Sequence, residues 1–231
     1  MKKYAEKQFL NGPDGYNDTI SVQYAQVKAG TFEAELYGPI ESPSQFSQII
    51  CALSLMEEQD NFILHLQSPG GSLDAVDALI HAMRKCKGKV HVVASGNCSS
   101  AATFVLLEAD TYELSEGFNA TCHCGSLGSG GAFNEYRMAT AFYTKFMEET
   151  LRKYYVGFFT EAEIVSMLDG RDILLNADQW ADRYEGRNVF YMEEMEKIVA
   201  KAEELMAKKD DVLPVVPKLT RKSKEIKIPL A

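Results

Sequence analysis

The sequence predicts an α/β protein with a mainly parallel sheet, on two observations. Strand, turn and helix patterns alternate twice within residues 61–107, and both strand-to-helix turns are rich in Gly and Ser. Asn61 to Leu66 is a short apolar strand ending at Ser68-Pro69-Gly70-Gly71-Ser72, after which Ala75, Ala78, Leu79 and Ala82 recur at helical spacing. Val90 to Ala94 is the second strand. Gly96-Asn97-Cys98-Ser99-Ser100 then turns the chain into an apolar helix from Ala101 to Leu107. In such sheets, active sites gather where strands end.

The remaining elements follow from local patterns. Residues 1–30 have weak periodicity and a turn-rich Asn11-Gly12-Pro13-Asp14-Gly15, which reads as an N-terminal arm. Phe32 to Leu36 alternates like a strand, and Phe46, Ile49, Ile50, Leu53 and Met56 mark a helix over 42–56. Tyr112 to Leu114 and Thr121 to His123 are further short strands. Residues 132–155 form a long helix carrying Phe133, Tyr136, Tyr143, Phe146 and Leu151. Thr160 and Glu163 form a capping box, and Asn176 opens a short helix in the same way. An amphipathic helix over 191–209 aligns Met192, Met195, Val199, Ala202 and Met206. Pro214, Pro217 and five basic residues then mark 212–231 as a tail, leaving one domain over 31–211.

Composition narrows the function classes. A net charge of -9 argues against broad nucleic-acid binding, which needs clustered Lys and Arg. The most apolar stretch, Ala101 to Leu107, is too short to span a bilayer, and no N-terminal apolar run resembles a signal peptide. Five cysteines without a spacing pattern fit reduced thiols. The expectation is a soluble, cytoplasmic protein with no membrane or nucleic-acid partner.

Chemistry concentrates at the two Gly/Ser turns. Ser99 and Ser100 stand at a helix N-terminus, where unpaired N–H groups stabilise an oxyanion or a capping serine equally well. Gly70 and Gly71 let the backbone approach a ligand on the neighbouring strand end. Of the four histidines, His123 has the best placement for a base, at a strand end before the Gly-rich run 125–131. Asp169 and Asp172 are rival acids for orienting an imidazole. Cys98, Cys122, His123 and Cys124 offer metal-type donors, but their spacing is not that of a zinc knuckle or ribbon.

These residues resemble the ClpP family of caseinolytic serine proteases over about Glu35 to Gly186. The segment Gln67-Ser68-Pro69-Gly70-Gly71 looks like the family's Asn-Ser-Pro-Gly-Gly turn. Gly96-Asn97-Cys98-Ser99-Ser100-Ala101-Ala102 lies where the family has Gly-Gln-Ala-Ala-Ser-Met-Gly, which selects Ser100 over Ser99. Thr121-Cys122-His123-Cys124 stands at Met-Ile-His-Gln, and Asp172-Ile173-Leu174-Leu175-Asn176-Ala177 is similar to Asp-x-Phe-Leu/Met-Ser/Thr-Ala, which selects Asp172 over Asp169. The separations of 29, 23 and 49 residues from Gly71 to Ser100, His123 and Asp172 in turn put all four sites in one frame.

The resemblance implies a ClpP/crotonase-like spiral of ββα units and a Ser100–His123–Asp172 triad. It also implies an oxyanion hole from the N–H groups of Gly71 and Ala101. It further implies peptide or unfolded-protein substrates, no cofactor or metal, a homo-heptamer or tetradecamer enclosing a chamber, and an AAA+ unfoldase partner. Ala101 and Ala102 stand where the family has Met and Gly, and Gly186-Arg187-Asn188-Val189 replaces Gly-Leu-Val/Ile-Asp. Those departures suggest a divergent branch, such as a phage head-maturation protease working in the host cytoplasm. The competing expectations are a catalytically silent ring or scaffold subunit and a crotonase-type acyl-CoA enzyme.

Overall fold

Period-two burial builds the sheet. In the computed structural model, which describes residues 22–25, 30–126, 128 and 131–207, Thr31–Tyr37 (β2) and Asn61–Ser68 (β3) alternate buried apolar with more exposed positions. Lys89–Ser99 (β4) alternates in the same way over residues 89–95. The seven-stranded sheet has the order β1-β2-β3-β4-β6-β7, completed by Val22–Ala25 (β1), Asn119–Cys122 (β6) and Ile173–Asn176 (β7), with Thr111–Leu114 (β5) also pairing β4. Pairings from β2 through β6 are parallel, and the outer pairs β1–β2 and β6–β7 are antiparallel. The α/β class and ClpP-type architecture expected from the sequence are present.

Helices cover the sheet: Ser47–Leu55 (α1), Leu73–Lys85 (α2), Ala101–Leu107 (α3), Phe133–Tyr154 (α4), Glu161–Leu168 (α5) and Ala177–Ala207 (α6). All seven residues of α3 are buried. Sequestering each of its large apolar side chains contributes roughly 1.5–3 kcal/mol, so α3 anchors the strand end that precedes it. Ser72 caps α2 by accepting the Ala75 N–H at 3.3 Å, with Asp74 in the first turn and Arg84 and Lys85 in the last, as the helix dipole favours. The Thr160–Glu163 capping box forms as expected. Among the described residues, no helix is long and apolar enough to cross a membrane.

Three local expectations change. Strand β4 runs through Gly96 and Asn97 to Ser99 instead of turning there, because its last residues pair with β6 while its first pair with β5. The short helix at Asn176 and the later amphipathic helix are one 31-residue helix, α6. Buried Arg187 holds it: the guanidinium donates to the Leu107 and Tyr154 carbonyls and lies 3.8 Å from Glu108, which also pairs Arg84 at 2.9 Å. Within the segment expected as an arm, Val22–Ala25 adds an antiparallel edge strand; residues 1–21 and the expected basic tail 212–231 lie outside the described residues.

Candidate active site

The site begins with backbone strain. Ser100 has φ 55° and ψ −132°, and is the one non-glycine residue with positive φ among the described residues. Such a conformation costs about 1–3 kcal/mol and persists only where its surroundings impose it. Here the Ser100 N–H donates to the Thr121 carbonyl at 2.7 Å, and the Ser100 carbonyl accepts the Thr103 N–H at 3.0 Å. A sharp strand-to-helix turn of this type lifts the hydroxyl clear of both elements. Ser99 is 8% exposed, donates to Asn97 Oδ1 and accepts the Thr121 N–H at 3.2 Å. Its hydroxyl is committed to structure, which leaves Ser100 half-buried with its hydroxyl available.

The neighbouring glycine turn packs onto Ser100. Gly70 has φ +86°, and a Cβ placed on it would lie 2.5 Å from the Ser99 carbonyl oxygen, 2.7 Å from Ser100 Cβ and 2.9 Å from Ala101 N. Only glycine permits that approach. Buried Ser68 shapes the turn by accepting the Gly70 N–H at 3.0 Å. On the other side, Ile40 donates to the Gly70 carbonyl and accepts the Ser72 N–H. The intervening Gly71 N–H therefore faces away from Ile40, towards the β4 side where Ser100 stands. Ala101 opens α3, so its N–H is one of the helix's orphan donors. The Gly70 turn thus lies against both Ser100 and the first residue of α3.

Strand register orders the segments that carry the other two candidates. In the β4–β6 ladder Ser99 pairs with Thr121, so Ser100 and Cys122 follow as the next step. In the antiparallel β6–β7 ladder Cys122 and Ile173 form the last pair, and His123 and Asp172 are the residues just beyond it. Cys122 is buried and His123 half-buried, as strand alternation places them on opposite faces. Asp172 is exposed, and Asp169 caps the end of α5 away from that ladder. Among the described residues, no hydrogen bond or ion pair yet joins His123 to Ser100 or Asp172. The other histidines have other roles: His65 meets Glu33 at 2.6 Å, His91 meets Thr111 at 2.8 Å, and His81 is exposed on α2.

A cavity of about 380 Å³ opens between α2 and α4, lined by Leu73, Asp74, Phe104, Phe146, Glu149 and Thr150 among others. None of Gly70, Gly71, Ser100, His123 and Asp172 lines it. Cys98 and Cys122 are buried, and burial pushes both thiols up, Cys122 to about 11. Such neutral thiols are poor metal ligands, and no group of three His, Cys, Asp or Glu among the described residues is placed to hold a metal ion.

Residues 33–183 match the family model described as Clp protease, about two thirds of the chain. The chain belongs to the Clp protease family. An ATP-dependent Clp protease proteolytic subunit of Pleurastrum terricola is 31% identical over 70 residues, which is 30% of this chain and 36% of that protein. The match therefore spans about a third of that relative's own length. Family membership points to a serine peptidase.

Sequence reasoning did not single out Gly70 or Ser68 for separate roles, although both stood inside the quoted turn. Their importance comes from a contact with a strand end 30 residues later, which the turn's composition does not encode.

Proposed function

We propose that this chain is a serine endopeptidase with Ser100 as nucleophile, His123 as general base and Asp172 as the acid orienting that base. The observation that carries the reading is the register: one step beyond the β4–β6 and β6–β7 ladders stand Ser100, His123 and Asp172. In the first half-reaction Ser100 Oγ attacks the peptide carbonyl carbon while His123 takes its proton. The N–H groups of Gly71 and Ala101 stabilise the oxyanion. Collapse breaks the C–N bond, and the amine leaves with the proton from His123. Water then repeats the sequence on the acyl ester and frees Ser100. Asp172 accepts the imidazole N–H and holds its tautomer throughout.

The first half of α4 supports assembly. Phe133, Met138 and Phe142 are 83%, 71% and 65% exposed, a density of large apolar groups that favours burial against further copies of the chain. The oligomeric ring, an AAA+ unfoldase that feeds it, and a role in phage head maturation belong to this reading. A catalytically silent ring subunit is the second reading, favoured by the unjoined His123 and Asp172. Peptide hydrolysis by wild type and Ser100→Ala, run beside native mass measurement, separates them. The expected result is hydrolysis lost and mass unchanged; full activity in Ser100→Ala sinks the mechanism.

A further inference from the structure

Thr103 is the one hydroxyl in the buried run 101–107, and the mechanism above does not use it. Its Oγ1 donates to the Ser100 carbonyl at 2.6 Å, adding a second bond to the one from its own N–H. A hydroxyl has a single proton. With that proton committed, Thr103 Oγ1 accepts from the Tyr155 hydroxyl 2.7 Å away, which comes from just beyond α4 and is 0% exposed. Burial raises both the Cys122 thiol and the Tyr155 phenol, so each keeps its proton at neutral pH. The donors run in one direction: Tyr155 to Thr103, Thr103 to the Ser100 carbonyl.

That carbonyl shares a planar trans peptide with the Ala101 N–H, so fixing the direction of one fixes the other. The peptide also follows a residue at φ 55°, which must be held against relaxation. A helix N-cap carbonyl already accepts a backbone N–H, and valine would fill the space of Thr103 as well. The extra hydroxyl therefore serves the orientation of this peptide. We propose that Thr103 and Tyr155 are positioning residues that clamp the Ser100 carbonyl and thereby aim the Ala101 N–H at the oxyanion. The inference rests on the reading of Ser100 as nucleophile.

The test compares Thr103→Val, Thr103→Ser and Tyr155→Phe in the full-length assembled protein. Readouts are kcat, KM, the thermal midpoint and affinity for a peptide aldehyde, whose hemiacetal adduct presents an oxyanion. Thr103→Val is expected to lower kcat about 10-fold and weaken the aldehyde equally, with KM within about twofold. Thr103→Ser restores kcat to within about threefold of wild type, and Tyr155→Phe loses about threefold because Thr103 keeps its own bond. Wild-type kcat and aldehyde affinity in both Thr103→Val and Tyr155→Phe would overturn the proposal. So would a serine variant as impaired as the valine one, or losses that track the thermal midpoint alone. Ser100→Ala in the same series separates the two claims. Retained hydrolysis there sinks the nucleophile itself, whereas an inactive Ser100→Ala beside an unimpaired Thr103→Val sinks only the positioning.

Discussion

The two halves of the candidate site are held in different ways. At the nucleophile turn, Ser100 is pinned by hydrogen bonds at its N–H and carbonyl, by Gly70 against its Cβ, and by a fully buried helix behind it. At the base–acid edge, the ladder ends one residue short of His123 and Asp172, and among the described residues their side chains make no bond to one another. Core packing within one chain suffices to build the first half. The second half is an open strand end beside the exposed face of α4, and catalytic hydrogen bonds at such edges tighten when substrate or a neighbouring subunit arrives.

The largest expected effects test whether that edge is catalytic at all. His123→Ala and Asp172→Asn should each lower kcat of the assembled protein by ~10³-fold or more. Asp169→Asn, on the cap of α5, should stay within about twofold of wild type in the same peptidase assay. A large loss in Asp169→Asn with none in Asp172→Asn would reverse the assignment of the acid.

Next comes the rigid half. Gly70→Ala puts a methyl group within 2.7 Å of Ser100 Cβ at a backbone with φ +86°. The expected cost is about 2–3 kcal/mol, read from denaturant midpoints, together with loss of hydrolysis. Unchanged stability and activity would show that the turn is less tightly set than described.

Changes on α4 should separate assembly from folding. Phe142→Ser with Phe146→Ser is expected to reduce native mass while moving the thermal midpoint by no more than about 2 °C, since both side chains are exposed in the single chain. Full-mass assemblies of this variant would remove α4 from the contact.

The smallest effect lies far from the edge. Arg183 at 2.7 Å, with help from Thr160, holds the Glu163 carboxyl down at about 2. A depressed carboxylate stabilises the fold above its ordinary value of 4.5, and that contribution fades as pH falls from there towards about 2. Because the pair is partly solvated, Glu163→Gln should cost only about 0.5–1 kcal/mol at pH 7. The gap between the two denaturation curves should close on acidification, and a gap that widens at low pH would contradict the sign.

Much of the fold was legible because it is written in local periodicity. The bounds of α3 match the apolar run 101–107, and the Thr160–Glu163 box starts α5 where its chemistry says. What local reading missed was fixed by distant partners. Gly96 and Asn97 look like a turn, but pairing with β6 draws them into β4. The helix opened by Asn176 looks short, but it runs on as α6, in which Arg187 reaches carbonyls contributed by Leu107 and Tyr154. The candidate site divides the same way. Ser100, His123 and Asp172 were proposed from the family resemblance and their common spacing, while the commitment of Ser99 to Asn97 and Thr121 emerges only in the folded chain. The Thr103–Tyr155 contact joins residues 52 apart and has no sequence signature beyond one hydroxyl in an apolar run.

The central claim is that the strained Ser100 is the nucleophile and its neighbour Ser99 a structural hydroxyl. Fluorophosphonate labelling of the assembled protein, followed by peptide mass mapping, tests it most directly. The account predicts a single adduct on Ser100, abolished in Ser100→Ala and sharply reduced in His123→Ala. An adduct on Ser99, or none on fully assembled protein, would contradict it.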